Sequence, residues 1–265
     1  MTKTINASSA QFGDLIQLVS PSRKIFIFSL KEGEKLETHR GILEHNDLVG
    51  TSWGSEVFSH TGSTFFLFQP NLADLITEIP RSTQIMYPKD IGFILITMGI
   101  GSGSEVIEAG SGSGGLTIAL AWAVGENGHV TSYENRPDVH NLARKNLIRA
   151  GLIDRVRLTI GDIGEGFQEK AVDAIFLDVP NSFDYIEQVR ASLKPGGYFG
   201  SLLPTVNQVN RLLIALYHNR FAVIDVCEIL LRYYKPFPER LRPTDRMVAH
   251  TGYLIFGRPI IPAGE

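Results

Sequence analysis

The chain of 265 residues contains one cysteine and little net charge, and each shortage excludes a class of protein. Cys227 has no second cysteine to pair with, so an internal disulfide is excluded and a reducing cytosol suits the chain. The apolar run around it predicts a buried structural thiol rather than a nucleophile. Cysteines and histidines do not stand at zinc-binding spacings, so no metal site is predicted. The net charge of -3 excludes a polycation, so nucleic-acid binding would need a local basic patch.

Long apolar segments are also missing. The first residues, M-T-K-T-I-N-A-S-S, lack the apolar core of a signal peptide, and no uninterrupted apolar run is long enough to span a bilayer. We therefore expect a cytoplasmic protein that does not bind a membrane. Hydrophobic residues still make up 43% of the chain, which is enough for an ordinary globular core.

The strand and helix patterns predict two domains. Residues 1–78 contain short β-rich runs bounded by turn residues, such as residues 24–30, which predicts a small β-rich, barrel-like domain. Within it, residues 39–49 are predicted as a pair of short strands or a loop with one strand, and residues 71–79 as a short helix with Asn71 as its cap. Residues 79–265 alternate apolar strands with helical patterns, which predicts a Rossmann-like α/β domain with helices on both faces of a sheet.

The most informative segment is residues 105–117, which read E-V-I-E-A-G-S-G-S-G-G-L-T. A short apolar strand leads into four glycines between Gly110 and Gly115, and a helical pattern follows. Glycines allow positive φ and close approach of a ligand, and the start of a helix offers unpaired N–H groups. Together they predict a nucleotide-type cofactor site, with a glycine-rich turn without a ligand as the alternative. Glu134 ends the next predicted strand, at a spacing that suits a carboxylate binding ribose hydroxyls.

Two aspartates also follow predicted strands. Asp162, in the sequence G-D-I, could accept a hydrogen bond from an exocyclic amine such as that of adenine, or it could cap a turn. Asp178 follows the strand A-I-F-L, and the carboxyl ends of strands in an open α/β sheet face the ligand crevice. Asp178 would be partly desolvated there, and the alternative is a structural aspartate in a turn.

Several motifs carry a family resemblance. With K-P-G-G before a strand predicted from Tyr198, the glycine loop resembles that of Rossmann-like S-adenosylmethionine-dependent methyltransferases. A nicotinamide dehydrogenase fits less well, because no hydride-transfer partner residues follow. The segments R-S-T-Q-I-M-Y-P-K-D at residues 81–90 and H-T-G-Y at residues 250–253 lie outside the cofactor core. With them, nearly the whole chain resembles the tRNA (adenine-N1)-methyltransferases of the TrmI type, which act in the T-loop.

The resemblance implies S-adenosylmethionine as cofactor, tRNA as substrate, and a homo-oligomeric assembly. Asp178 and Tyr87 would be catalytic, with Asp178 facing the target adenine and Tyr87 stacking on it. The implied cofactor-binding residues are Gln84, Met86, Gly110, Ser111, Gly112, Ser113, Gly114, Gly115, Leu116, Glu134, Asp162, Ile163 and Asp178. The implied substrate-binding residues are Tyr87, Asn207, Gln208, Arg242, Arg246, His250 and Thr251.

The implied oligomer is a homotetramer, which would assemble a larger positive surface from modest patches. A candidate basic surface near the end of the chain comprises Arg232, Lys235, Arg240, Arg242 and Arg246, and aromatic residues are interleaved with it. A solvated loop or a subunit contact is the alternative for that segment. Two other functions stay open: a methyltransferase acting on protein or a small molecule, and a non-catalytic tRNA-binding subunit of a paired complex. The intact glycine loop argues against the second.

Overall fold

A computed structural model describes residues 8–82 and 84–261, and the chain divides into two compact units. The first unit ends at Ile79 and also includes Arg149–Gly151. The second comprises Pro80–Ile148 and the chain from Leu152 onwards. None of the helices in the described residues has the length and apolar character that crossing a bilayer requires.

Antiparallel strands build the first unit. Its elements are β1 (Leu15–Val19), β2 (Ile25–Ser29), β3 (Lys35–Thr38), β4 (Gly41–Glu44), α1 (His45–Leu48), β5 (Glu56–Phe58), β6 (Thr64–Phe68) and α2 (Leu72–Thr77). Strands β2, β1, β6 and β5 pair in that order, and β3 pairs with β4. Ile16 and Leu18 of β1 and Phe65 and Leu67 of β6 are fully buried, because residues two apart point to the same face of a strand.

Local sequence signals succeed at one helix of this unit and fail at the other. Asn71 caps α2 by accepting a hydrogen bond from the N–H of Asp74 at 2.8 Å, as predicted. Residues 39–49 contain one strand, β4, which runs directly into α1, so the prediction of strand and loop alone was wrong there. A four-residue helix is too short to show a 3.6-residue period in the sequence.

A mixed seven-stranded sheet forms the centre of the second unit. Its strands are β7 (Glu105–Ala109), β8 (His129–Glu134), β9 (Val156–Ile160), β10 (Val172–Leu177), β11 (Leu193–Leu203), β12 (Phe221–Cys227) and β15 (Tyr253–Pro259). They pair in the order β12-β15-β11-β10-β7-β8-β9, and only β15 runs antiparallel to its neighbours. A separate short hairpin joins β13 (Tyr234–Lys235) to β14 (Arg242–Pro243).

Helices connect these strands, as the predicted α/β alternation requires. They are α3 (Pro88–Thr97), α4 (Gly115–Val124), α5 (Pro137–Ala150), α6 (Ile186–Ser192) and α7 (Val206–His218). Strand β11 begins at Leu193, five positions before the predicted start at Tyr198. Its pairing with β10 jumps from Val172↔Leu193 to Ala174↔Tyr198, so the K-P-G-G turn interrupts the ladder inside the strand.

The strand order places a crevice beside β7. The chain continues from β7 to β8 and β9 on one side, and it returns to β10 and β11 on the other. Strand order therefore reverses between β7 and β10, where Ala109 pairs with Leu177. Ligands of open α/β sheets bind outside the carboxyl ends of the strands at such a reversal. Gly110 and Asp178 are the first residues beyond those two ends.

Candidate functional site

Two cavities meet at the carboxyl ends of β7 and β10. The first has a volume of about 350 Å³ and the second about 380 Å³, and Asp178, Val179 and Pro180 line both. Each volume falls in the range of small-ligand sites. The arrangement places one carboxylate between two ligand-sized spaces.

The first cavity gathers some of the predicted cofactor residues and leaves others outside. The predicted residues that line it are Gly110, Glu134, Asp162, Ile163 and Asp178. Its other lining residues, which the sequence did not single out, are Ala109, Tyr133, Asn135, Arg136, Gly161, Val179, Pro180, Asn181 and Tyr185. The predicted residues outside its lining are Ser111, Gly112, Ser113, Gly114, Gly115 and Leu116, while Gln84 and Met86 line the second cavity. Asn135 and Arg136 could have been found from the sequence, because they directly follow Glu134 at a strand end.

Gly110 brings the glycine loop against the backbone of Asp178. Its φ is +93°, and a Cβ at this position would lie 2.2 Å from the carbonyl oxygen of Asp178. The N–H of Asp178 donates to the carbonyl of Ala109 at 2.8 Å. Only glycine fits this contact, because any side chain would collide with the neighbouring backbone.

Glu134 is a buried carboxylate held by five hydrogen-bond donors. Its Oε1 accepts from the N–H groups of Asn135 and Arg136, at 3.1 and 3.2 Å, and from Nε of Arg136 at 3.1 Å. Its Oε2 accepts from the N–H of Gly112 at 3.1 Å and from Nη2 of Arg136 at 3.5 Å. These contacts fix the carboxylate at the wall of the first cavity and link it to the glycine loop.

A second buried acid, Glu108, lies behind the glycine loop. Its Oε2 accepts hydrogen bonds from the hydroxyls of Thr117 and Ser132, each at 2.6 Å. Burial raises the pKa of Glu108 to about 7, and its Oε1 has no partner among the described residues. The hydroxyl of Ser111 lies 2.5 Å from that of Ser132, so it joins this buried network. The sequence signal that was overlooked is an acid within the apolar strand E-V-I-E-A.

Asp178 has a different environment from the other acids. Its side chain is exposed to both cavities, and no hydrogen bond to its carboxylate is found within residues 8–82 and 84–261. Desolvation by the surrounding protein raises the pKa of Asp178 to about 6, while part of the residue stays exposed at the cavities. At neutral pH the group is therefore mostly a carboxylate with unused acceptor capacity.

Asp162 adopts the turn-capping geometry that was one of its two predicted alternatives. Its Oδ1 accepts from the N–H of Gly164 at 2.8 Å, which caps the 3₁₀ turn Ile163–Glu165. The residue also lines the first cavity, so capping and ligand contact do not exclude one another here.

The second cavity brings together four segments that are distant in the sequence. Its lining residues are Gln84, Ile85, Met86, Tyr87, Asp90, Asp178, Val179, Pro180, Leu202, Pro204, Val248, His250 and Thr251. His250 bridges two of its neighbours, with Nδ1 2.8 Å from Oε1 of Glu228 and Nε2 3.1 Å from the carbonyl of Pro204. The hydrogen bond to Glu228 raises the pKa of His250, and both partners are acceptors, which favours the imidazolium form.

Four predicted substrate residues do not line either cavity. Asn207 and Gln208 lie in the first turn of α7, and Nε2 of Gln208 donates to the carbonyl of Pro180 at 2.8 Å. Gln208 therefore holds a residue that lines both cavities. Arg242 and Arg246 lie on the exposed segment around β14.

The part of the chain that the structure describes contains no cluster of three or more metal-ligating side chains. The site itself consists of a glycine loop after the central strand β7, an acid at the end of the next strand β8, and a cavity that both of them line. This fold and site define an S-adenosylmethionine-dependent methyltransferase of the Rossmann-like class.

Comparison with known proteins identifies the family within this class. The family described as "tRNA methyltransferase complex GCD14 subunit" matches residues 66–245, and "TrmI-like N-terminal" matches residues 10–57. A tRNA (adenine(57)-N(1)/adenine(58)-N(1))-methyltransferase TrmI of Methanocaldococcus jannaschii is 35% identical, over 86% of this chain and 89% of that protein. The chain therefore belongs to the TrmI-type tRNA methyltransferase family.

Two solved structures resemble the chain over nearly its whole length. The tRNA (m1A58) methyltransferase TrmI of Aquifex aeolicus is 33% identical, with a TM-score of 0.83 over 96% of this chain and 100% of the other. A protein of Thermotoga maritima described as a SAM-dependent O-methyltransferase is 42% identical, with a TM-score of 0.92 over 97% of each chain. Both are methyltransferases, but their descriptions differ in the atom or substrate that receives the methyl group.

Proposed function

We propose that this chain transfers a methyl group from S-adenosylmethionine to N1 of an adenine in the T-loop of tRNA. The observation that carries the proposal is Asp178, whose free carboxylate stands between two cavities of suitable size. One cavity would take the methyl donor and the other the accepting base. Membership of the TrmI-type family supports tRNA adenine as the acceptor.

The residues of the first cavity suit S-adenosylmethionine. Glu134 would accept hydrogen bonds from the ribose hydroxyls, and Asp162 with Ile163 would contact the adenine ring. Gly110 has no side chain, so the methionine part of the cofactor could approach its backbone. A Cβ at this position would also collide with the backbone of Asp178. The bound cofactor supplies the methyl group, and the chain supplies orientation.

Asp178 would stabilise the charge that develops on the accepting base. Methylation at N1 makes the adenine ring cationic, and a carboxylate beside the ring offsets that charge. The same carboxylate would accept a hydrogen bond from the exocyclic amino group. Because the pKa of Asp178 is raised to about 6, we expect turnover to fall as the pH drops through that value.

Tyr87 and the walls of the second cavity would receive the base. The T-loop adenine is paired within the elbow of folded tRNA, so it must leave its stack to reach Asp178. Tyr87 stands at the N-cap of α3 and lines the second cavity, where its ring could stack on an extruded base. Gln84 and Met86, from the same segment, would close over the base and the cofactor.

The exposed segment around β14 would supply RNA contacts. Arg242 and Arg246 are exposed there, and their charges would bind tRNA phosphates outside the two cavities. We further propose a homotetramer acting in the cytoplasm, in which exposed apolar residues of this segment, such as Tyr233 and Leu241, are covered by another copy. Light scattering tests the assembly, and a monomer at micromolar concentration would contradict it.

A second candidate function is O-methylation of a small molecule or protein. The Thermotoga maritima protein described in that way favours it. The segments at residues 81–90 and 250–253 argue against it, because they resemble TrmI-type elements outside the cofactor core and both contribute residues to the second cavity.

Nucleoside analysis separates the two candidates. The protein is incubated with an unmodified tRNA transcript and labelled S-adenosylmethionine, and the RNA is digested to nucleosides. We expect labelled 1-methyladenosine, and a transcript with the T-loop adenine replaced by guanine is the matched control. A methylated ribose, guanine or cytosine, or tRNA that stays unlabelled while a small molecule or protein accepts the label, would refute the proposal.

A further inference from the structure

A cluster of three side chains lies at the wall of the second cavity, with Lys89 and Asp90 buried and Thr251 half-buried. The ammonium of Lys89 lies 2.8 and 3.0 Å from the two carboxylate oxygens of Asp90 and 2.7 Å from the hydroxyl of Thr251. That hydroxyl donates to Oδ2 of Asp90 at 2.9 Å. The side chains of Lys89 and Asp90 are only 7% and 1% exposed. We call these three residues the buried clamp.

Stability alone is a weak reason for such a cluster. Burying two charges removes their hydration, and well-packed apolar residues of similar size are often as stable or more stable. Buried polar groups of this kind instead fix the relative position of the segments that carry them when every donor is used. In the buried clamp, the three ammonium hydrogens of Lys89 face three acceptor atoms, and the one hydroxyl proton of Thr251 is taken by Asp90.

The buried clamp joins two walls of the second cavity across 161 positions of sequence. Lys89 and Asp90 lie in the first turn of α3, two and three positions after Tyr87 at its N-cap. Thr251 directly follows His250, which also lines the cavity. The three side chains therefore tie the segment that carries Tyr87 to the segment that carries His250.

Gly252, next to the buried clamp, packs against a third wall of the second cavity. Gly252 has a φ of +150°, and a Cβ there would lie 2.8 Å from Cδ1 of Leu202. Leu202 itself lines the second cavity. The backbone after Thr251 thus packs directly onto Leu202, and this contact requires glycine.

We propose that Lys89, Asp90 and Thr251 are positioning residues, which hold Tyr87 and His250 at the separation that places the accepting base in line with the methyl donor. The inference rests on the proposed function, since it assigns the second cavity to the base. It also changes the role expected for Thr251, whose hydroxyl is committed to Asp90 and Lys89 rather than to substrate. Misplacing a reacting group by about 1 Å can cost roughly 100-fold in rate, so loss of the buried clamp should affect turnover.

Two substitutions at one position test the inference. Thr251→Val keeps the shape of the side chain and removes the hydroxyl, and Thr251→Ser keeps the hydroxyl and removes a methyl group. We expect Thr251→Val to lower kcat for tRNA methylation by roughly 10-fold or more, with unchanged calorimetric affinity for S-adenosylmethionine. Thr251→Ser should restore kcat. A merely structural role would lower the melting temperature without this loss of kcat in the folded protein.

The other possible results decide between a positioning role, a substrate contact and failure of the proposed function. Wild-type kcat and KM in folded Thr251→Val would overturn the positioning role, and so would a rise in KM for tRNA with kcat unchanged, which would make Thr251 a substrate contact. If Thr251→Val does not fold, Lys89→Gln, which keeps a donor to Asp90 but removes the charge, is measured in the same way and must lower kcat. If the wild-type protein leaves tRNA unmethylated, the proposed function fails and the positioning role fails with it. If the wild type methylates tRNA and the variants match it, only the positioning role fails.

Discussion

Glu134 and Asp178 both follow the ends of strands in one sheet, yet their surroundings differ. Five donors hold the carboxylate of Glu134, whereas no hydrogen bond to the Asp178 carboxylate is found among the described residues. A fully held group suits binding of an unreactive part of a ligand. A free group suits a charge that appears only during the reaction.

Glu134→Ala should weaken binding of S-adenosylmethionine. The substitution removes the acceptor for the ribose and also releases Arg136 and the N–H of Gly112, so we expect a loss on the order of 1–3 kcal/mol. Calorimetry measures the affinity directly. Glu165→Ala, an exposed acid in the neighbouring 3₁₀ turn, is the control and should bind normally. Equal affinity in both folded variants would remove Glu134 from the cofactor site.

Glu108 should make folding stability depend on pH. Its pKa is about 7 in the folded chain against an ordinary value of 4.5, so the folded state binds its proton more tightly. The stabilisation is complete below pH 4.5 and is lost as the pH rises through 7. Each pKa unit corresponds to about 1.4 kcal/mol, so the change amounts to a few kcal/mol.

Denaturant unfolding between pH 5 and 8 measures this dependence, and the window spans the raised pKa of Glu108 (about 7). Glu108→Gln cannot ionise, so its free energy of unfolding should fall less across the window than that of the wild type. Glu105→Gln changes an exposed glutamate on the same strand and should keep the wild-type slope. A slope in Glu108→Gln equal to that of the wild type would show that the titrating group lies elsewhere.

At the scale of elements, the contact between the glycine loop and the end of β10 builds the site. Gly110→Ala would meet two penalties, a positive φ and a Cβ 2.2 Å from the carbonyl oxygen of Asp178. Gly103 shares a positive φ of +87° but has open space around its Cβ position, so Gly103→Ala meets only the first penalty. Thermal unfolding should therefore show Gly110→Ala as clearly less stable than Gly103→Ala, whose cost is about 1–3 kcal/mol. Equal losses would mean that the close contact is relieved without cost.

The elements of the second unit were largely predictable from the sequence, because they are long enough to show their period. Strands and helices alternate there as the sequence pattern predicts, and the glycine loop lies where its motif indicated. The start of β11 was missed because a bulge hides pairing that no local pattern records. Helix α1 was missed because it is a single turn.

The candidate site was predictable only where a motif marks its residues. The cavity-lining acids Glu134, Asp162 and Asp178 follow strand ends and were found from the sequence. Tyr185 and Leu202 line the cavities through tertiary contacts that carry no signal in one sequence. The link between Asp90 and Thr251 spans 161 positions, which no periodicity can reveal. The domain boundary at residue 78 and the individual site roles stay predictions.

At the scale of the whole molecule, we expect a chain of net charge -3 to bind tRNA through local basic residues rather than through its overall charge. Replacing Arg242 and Arg246 together by alanine should weaken tRNA binding and leave cofactor affinity intact. The slope of log affinity against log salt concentration should flatten by about 2, one for each lost phosphate contact. Filter binding over a range of salt concentrations measures this slope. Arg23→Ala combined with Lys31→Ala removes the same charge from the first unit, and an equal flattening there would mean that net charge alone acts.

The central claim is that the carboxylate of Asp178 stabilises a base that becomes cationic between the two cavities. Single-turnover formation of 1-methyladenosine by Asp178→Asn, measured with saturating S-adenosylmethionine and folded tRNA, tests it most directly. We predict a rate lower by roughly 100-fold or more, because the amide keeps the shape but lacks the charge, with cofactor affinity preserved. A single-turnover rate close to that of the wild type would contradict the claim.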